Sequence, residues 1–203
     1  MQQASATWSQ ITSTQPVAGP AGLYYADVPN RIIAQVIDAI IVGIVSIIVF
    51  VVLASIIGSP TSVTTVADPN SILGVRFETH TNIVPLLINT LVAAALSAGY
   101  YIYTWTAMRG TIGQRLLGMQ VGNATDGATI TMEQAARRWL AVGGAFTLAQ
   151  ALNPLPGLGI LIGLASLVWV IALLVTTAQS PTKQGLHDRF ANTVVVKAAR
   201  AVS

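Results

Sequence analysis

The sequence predicts an all-α integral membrane protein: a four-helix transmembrane bundle with short cytoplasmic interfacial segments. Three observations predict it. First, the chain of 203 residues is 53% hydrophobic and only 8% charged, with a mean hydropathy of +0.67. A soluble domain carries about 25% charged residues. Second, the apolar residues gather into long runs that open near Arg31, Ile83, Arg138 and Leu158, and a spanning helix needs about 20 such residues. Third, with four crossings, nine of the ten Lys and Arg fall on one side of the membrane and only Arg76 on the other. The positive-inside rule then places both termini in the cytoplasm and the protein in the cell inner (plasma) membrane.

Composition also narrows the chemistry. There are no cysteines, which removes disulfides, thiol nucleophiles and Cys-based metal sites. The net charge of +3 belongs to basic residues scattered beside apolar runs, so the partner they point to is the lipid bilayer rather than nucleic acid. No P-loop, nucleophile elbow or His-Glu-x-x-His motif occurs. His80 and His187 lie on opposite sides of the membrane in this topology. The expectation is a protein that is not an enzyme, with no metal and no cofactor.

Residues 1–22 are rich in Gln, Ser, Thr, Ala and Pro and are expected to be a disordered tail. They hold no Lys or Arg, so the charged region of a cleavable signal peptide is missing. Tyr24 and Tyr25 read as interfacial anchors, and Asn30 as a helix cap. The first spanning helix runs over 31–57 and stops at Gly58-Ser-Pro60. Residues 59–82 form a polar loop, with short β-prone runs on either side of Asp68-Pro-Asn70 that predict a small hairpin. The second helix covers 83–108. Gln114 to Gln120 reads as an interfacial piece, and Asn123–Gly127 as the turn of a second hairpin joining 118–121 to 128–131. The third helix, 132–152, reaches across only with snorkelling arginines. The fourth, 158–178, opens with Gly159-x-x-x-Gly163, a close-packing motif. A re-entrant hairpin over 139–178 gives the same sidedness. Residues 198–203 form a second tail.

The residues of interest are polar groups inside apolar runs. Arg31 and Asp38 are seven positions apart, nearly two helical turns, so they share a face with Gln35 between them. By helical rise Asp38 lies roughly 9 Å beyond Ile32. A carboxylate in hydrocarbon is disfavoured by roughly 2–4 kcal/mol, and intramembrane acids are functional candidates. On the second helix Asn89, Ser97 and Tyr100 belong to a small-and-polar stripe. It reads either as packing glue between helices or, with Gln35, as the lining of a polar pathway.

Late in the chain stands Leu186-His-Asp-Arg189, and between the two comes Gly113-Gln-Arg-Leu-Leu-Gly118. Together with Arg31 and Asp38, these motifs resemble the RDD family of small bacterial and archaeal membrane proteins, named for one arginine and two aspartates. The naming positions fall on Arg31, Asp38 and Asp188, and the resemblance covers about residues 24–197, which makes 23–197 one membrane domain. Gln114 stands where the family commonly has Lys, and Asn192 where Gly is common. In the predicted topology Asp188 meets Arg31 or Arg115 at the cytoplasmic boundary, while Asp38 is left deeper and less fully compensated.

Two functions follow as expectations. The resemblance implies transport, since antiport of sodium against protons has been proposed within the family. Asp38 is then the ion or proton site for a monovalent cation, supported by the cluster of Arg31, Asp188 and Arg115, and four helices require a homo-oligomer. The alternative is a non-catalytic accessory or scaffold subunit of a larger membrane-protein complex, stapled internally by Arg31 and Asp188.

Overall fold

The structure is a computed structural model that describes residues 17–155 and 157–197. Most of the expected N-terminal tail and all of residues 198–203 lie outside the described residues. Residues 17–22 do not behave as a tail. Ala18 bridges to Tyr24, Gly19 N donates to the Leu23 carbonyl at 2.7 Å, and Pro20–Gly22 closes the turn.

The chain then runs through β1 (Tyr24–Tyr25), α1 (Val28–Ile57), β2 (Thr61–Ala67), β3 (Val75–Thr81) and α2 (Ile83–Ala107). There follow α3 (Ile112–Leu116), β4 (Met119–Asn123), α4 (Met132–Trp139), a π-helical segment (Leu140–Gly144), α5 (Ala145–Ala149) and a single 3₁₀ turn (Gln150–Leu152). It ends with α6 (Leu158–Gln179), α7 (Leu186–Phe190) and β5 (Thr193–Lys197). Three helices, α1, α2 and α6, are long and apolar enough to cross a membrane. Their bounds lie within a few residues of those read from hydropathy, because continuous apolar runs closed by Gly58-Ser-Pro60, Arg109-Gly110 and Ser180-Pro181 leave little freedom.

The segment expected as one helix over 132–152 is instead broken. Thr131 and Gln134 close a capping box at the start of α4, and the helix widens into π geometry from Leu140. Gly143-Gly144 allow this. A Cβ on Gly144 would stand 2.6 Å from the Trp139 ring, so the indole lies where a side chain would otherwise be, its Nε1 donating to Ser97 Oγ at 3.0 Å. Such insertions bend a helix without proline.

Nor is the chain all-α. The expected hairpin over 59–82 is present, with β2 and β3 paired antiparallel from Thr61↔Thr81 to Ala67↔Val75. Asn82 Nδ2 ties its base to the Ser59 carbonyl at 2.8 Å. The second expected hairpin is replaced by a long-range sheet of order β1-β5-β4, all antiparallel. The Asn123–Gly127 turn forms, with Asn123 N donating to the Ala128 carbonyl at 2.8 Å. After it, however, Ile130 enters the core and Thr131 caps α4, so 128–131 cannot continue as a strand. β5 takes the place beside β4. Its Val194, Val195 and Val196 are all buried, as in a central strand covered on both faces.

This sheet, the start of α1, the end of α2 and α4 enclose the one hydrophobic core cluster of the described residues, which includes Ala34, Trp105, Met119, Val121, Ala135 and Val195. Away from it, α1 and α6 expose most of their apolar side chains, such as Ile47 and Ile160. With 30 residues, α1 is about 45 Å long, against a hydrocarbon layer of about 30 Å. The surplus is its first third, which packs on α3 and the sheet. Val195→Ala removes two methyl groups from a fully enclosed position and is expected to cost about 2 kcal/mol. Thermal unfolding in detergent checks this.

Candidate functional site

Asp188 is the best enclosed charge among the described residues, with no solvent exposure. It sits in α7, a helix of 5 residues, and Gly185 N donates back to its Oδ2 at 3.2 Å. Arg31 Nη1 from α1 donates to Oδ2 at 2.7 Å. Arg138 Nη1 from α4 donates to Oδ1 and to Thr193 Oγ1 at 2.6 Å. Arg31 also donates from Nε to the Ala26 carbonyl at 3.1 Å and from Nη2 to the Val195 carbonyl at 3.3 Å. The Arg138 guanidinium lies 5.1 Å from the centre of the Trp105 ring, a cation–π distance. One carboxylate thus joins α1, α4, α7 and the central strand.

Burial alone would raise the Asp188 pKa, but Arg138, His187 and Arg31 around it prevail and hold it below the usual carboxylate range. His187 Nε2 stands 3.5 Å from Asp188 Oδ1. Burial dominates there, and the nearby arginines add to it, so the imidazole pKa falls to about 4. His187 is therefore neutral at pH 7 and is no ion-pair partner. Among the described residues the cluster sets one buried arginine, Arg138, and one partly buried arginine, Arg31, against the buried Asp188.

The expected third member, Arg115, is not in this cluster. Its side chain is exposed, with no ion pair among the described residues, because α3 turns it outward. Arg138 occupies the place instead. Its signal was present in the sequence as helical spacing: Ala135 and Arg138 share the buried face of α4, while Arg137 points outward to Glu133 one turn back.

Asp38 is also buried, yet no arginine reaches it. Its Oδ1 accepts from Tyr100 OH at 2.6 Å and from Gly113 N at 2.8 Å, and its Oδ2 from Thr111 Oγ1 at 2.5 Å. The acid expected to be poorly compensated is satisfied by three uncharged donors from α2 and from the start of α3. The close approach depends on Gly113, where a Cβ would run into the Ala34 carbonyl. Gln114 holds the turn: its Oε1 accepts from Thr111 N at 3.0 Å and from Trp105 Nε1 at 3.2 Å. A lysine there has no acceptor to offer either donor.

Of the stripe residues, Tyr100 touches Asp38 directly. Gln35 donates to Tyr101 OH at 3.0 Å, and Tyr101 packs edge-on to Tyr100 at 5.1 Å. Ser97 is occupied by Trp139. Asn89 bonds back to the Pro85 carbonyl at 2.8 Å and lines a separate, mainly apolar cavity of about 380 Å³ between α1 and α2. Gln35 and Tyr100 are therefore brought to the Asp38 region, and Ser97 and Asn89 are not. Among the described residues no three of His, Asp and Glu gather as metal ligands.

Arg31, Asp38 and Asp188 thus form two linked buried centres at the sheet end of the molecule, and the model of the RDD family matches residues 25–192. The chain belongs to the RDD family. No curated protein and no solved structure gives a match. Within the RDD pattern, Asn192, which stands where Gly is common, has a φ of 53°. That left-handed backbone is one glycine adopts freely and asparagine tolerates, so the turn into β5 survives the replacement.

Asp188→Asn leaves the buried Arg138 without a counter-charge and is expected to destabilise this RDD protein by about 3–5 kcal/mol. Arg115→Ala should change stability by less than about 0.5 kcal/mol. Thermal unfolding of both in detergent tests the assignment of the cluster to Arg138. A pH series tests His187. Its folded pKa lies below the ordinary 6.5, so the unfolded chain takes up the proton first and stability falls as pH drops from 6.5 towards 4. The loss is on the order of 3 kcal/mol. Asp188 contributes stability that is lost only below the ordinary carboxylate range. His187→Gln should therefore flatten the dependence between pH 6.5 and 4, and an unchanged slope would show that another group titrates.

Proposed function

We propose that this RDD membrane protein carries a monovalent cation or proton, with Asp38 as the exchanging group. The observation that supports the reading best is that Asp38 is buried without a cationic partner, although Arg31 lies on the same helix less than two turns away. Arginine would hold the carboxylate charged and occupied. Hydroxyl groups behave differently. Tyr100 and Thr111 donate to a bare carboxylate and, after rotating, offer lone pairs to an incoming ion. Two carboxyl oxygens and two hydroxyl oxygens make an all-oxygen set suited to a hard cation or a proton.

The sheet end faces the cytoplasm of the plasma membrane in this reading, because it carries eight of the nine Lys and Arg among the described residues, all but Arg76. The broken segment 132–152 completes a fourth crossing. Its start lies beside the sheet end, while Gln150 lines the same cavity as Pro60 and Leu86, next to the β2–β3 hairpin. Alternating access in so small a chain calls for a homo-oligomer.

A second reading, an accessory subunit of a larger complex, is favoured by α6. On the Gly159-x-x-x-Gly163 motif a Cβ on Gly163 would meet nothing within 4 Å among the described residues, and one on Gly159 only the Asn153 side chain. Small-residue faces are how membrane helices approach one another closely.

Purified protein reconstituted in proteoliposomes distinguishes the two. Cation-dependent proton flux is expected, and Asp38→Asn should abolish it while leaving the protein folded. Full flux in D38N ends the Asp38 reading. Absence of flux in the natural protein, together with a stoichiometric larger partner in native purification, would establish the accessory role instead.

A further inference from the structure

A second cavity, of about 340 Å³, opens between the first turns of α1 and the last turns of α6. Its volume falls within the range of small-molecule sites. Val36 and Ala39 of α1 form one wall, and Val170 and Leu174 of α6 the other. Val36 and Val170 are half exposed, at 53% and 48%, on the outer faces of helices apolar enough to lie in a membrane. The mouth of the cleft is thus apolar and faces the lipid side.

The floor has the opposite character. Trp105, Arg138 and His187 close it. Arg138 is 3% exposed, and its Nε is buried with no hydrogen-bond partner; His187 Nδ1 is in the same condition. An unmet buried polar atom is destabilising until a partner reaches it. The charge is unbalanced as well, since Arg31 and Arg138 share the single carboxylate of Asp188. Asp27 also acts on Arg31 but is partly exposed and lies 3.9 Å from Lys197, and Glu133 pairs with Arg137, so among the described residues no second acid pairs with Arg138. A buried arginine with a free donor at the floor of the cleft, sharing its one carboxylate with a second arginine, calls for an anion.

We infer that the cleft binds the anionic headgroup of a membrane phospholipid, its phosphate accepting from Arg138 and facing His187 Nδ1, with its acyl chains leaving between Val36 and Val170. A lipid fits better than a soluble anion because the way in passes between apolar, exposed side chains of α1 and α6, Val36 and Val170, with Gln35 the one exposed polar side chain in the lining. This site is separate from Asp38, whose two oxygens are filled from α2 and α3 on other contacts.

The test uses the full chain in a neutral detergent, with thermal unfolding followed during titration of phosphatidylglycerol, phosphatidylcholine or sodium phosphate. Phosphatidylglycerol should raise Tm in a saturable way, with apparent affinity at least about tenfold above that for phosphatidylcholine, and sodium phosphate should have no effect in the same range. Val170→Trp fills the cleft from the α6 wall without touching the charged floor, so it should fold with a similar Tm and lose the shift. Val36→Trp, from the α1 wall, serves where V170W folds poorly. Equal shifts with phosphatidylcholine, an equal shift with sodium phosphate, or a full phosphatidylglycerol shift in the folded tryptophan variant would each overturn the inference. Proton flux through D38N is read separately, so failure of either idea leaves the other standing.

Discussion

The arrangement of this molecule depends on a buried carboxylate held between two arginines. Asp188 comes from a one-turn helix, Arg31 from the start of the first long helix and Arg138 from the segment expected as the third. Inside a bilayer, apolar contact does little to choose one helix neighbour over another, because lipid tails are as apolar as leucine. Charged groups choose, since each must find its partner or remain unpaired in a medium that cannot solvate it. The cluster also reaches the sheet. Arg31 donates to the Ala26 and Val195 carbonyls, and Arg138 to Thr193, so the register of β5 and the position of α1 are set together.

The two aspartates of the RDD pattern are answered in different ways, and the difference bears on what each is suited to do. Asp188 is held by permanent charges, with its pKa pushed down. Asp38 is held by Tyr100, Thr111 and the Gly113 amide. Charges of fixed sign make a lock. Hydroxyls can donate or accept, and it is on this difference that the proposed exchange at Asp38 rests. The surplus length of α1 makes this arrangement available. Its first third extends beyond what a crossing requires, so Asp38 can be enclosed by α3, a helix of only 5 residues whose N-terminal turn presents Thr111 and Gly113 directly to it.

The same cluster explains why a cleft forms where it does. α6 is tied to the rest of the protein near its end, where Gly185 packs closely on Thr177 and Leu186 N donates to Thr176 Oγ1 at 3.2 Å, and at its middle, where Trp169 Nε1 donates to the Ala141 carbonyl at 2.7 Å. Between α1 and α6 a cleft remains, with Val36, Ala39, Val170 and Leu174 on its walls and Arg138 and His187 at its floor.

Much of this was legible in the sequence. Composition and hydropathy determined the three long helices and nearly their limits, because apolar length and Gly/Pro punctuation are local properties. The Asp68-Pro-Asn70 hairpin and the shared face of Arg31 and Asp38 are local as well. What only the tertiary structure decided is non-local. β4 pairs with β5 rather than with the segment that follows it, Arg138 replaces Arg115, Gly143-Gly144 break the helix around Trp139, and Asp38 receives three neutral donors. Helical periodicity names the face on which a side chain lies but not the element brought against it. That choice was made by burial of the Val194–Val196 run and by the requirement that every enclosed charge find a partner, and both conditions are met only once the whole chain has folded.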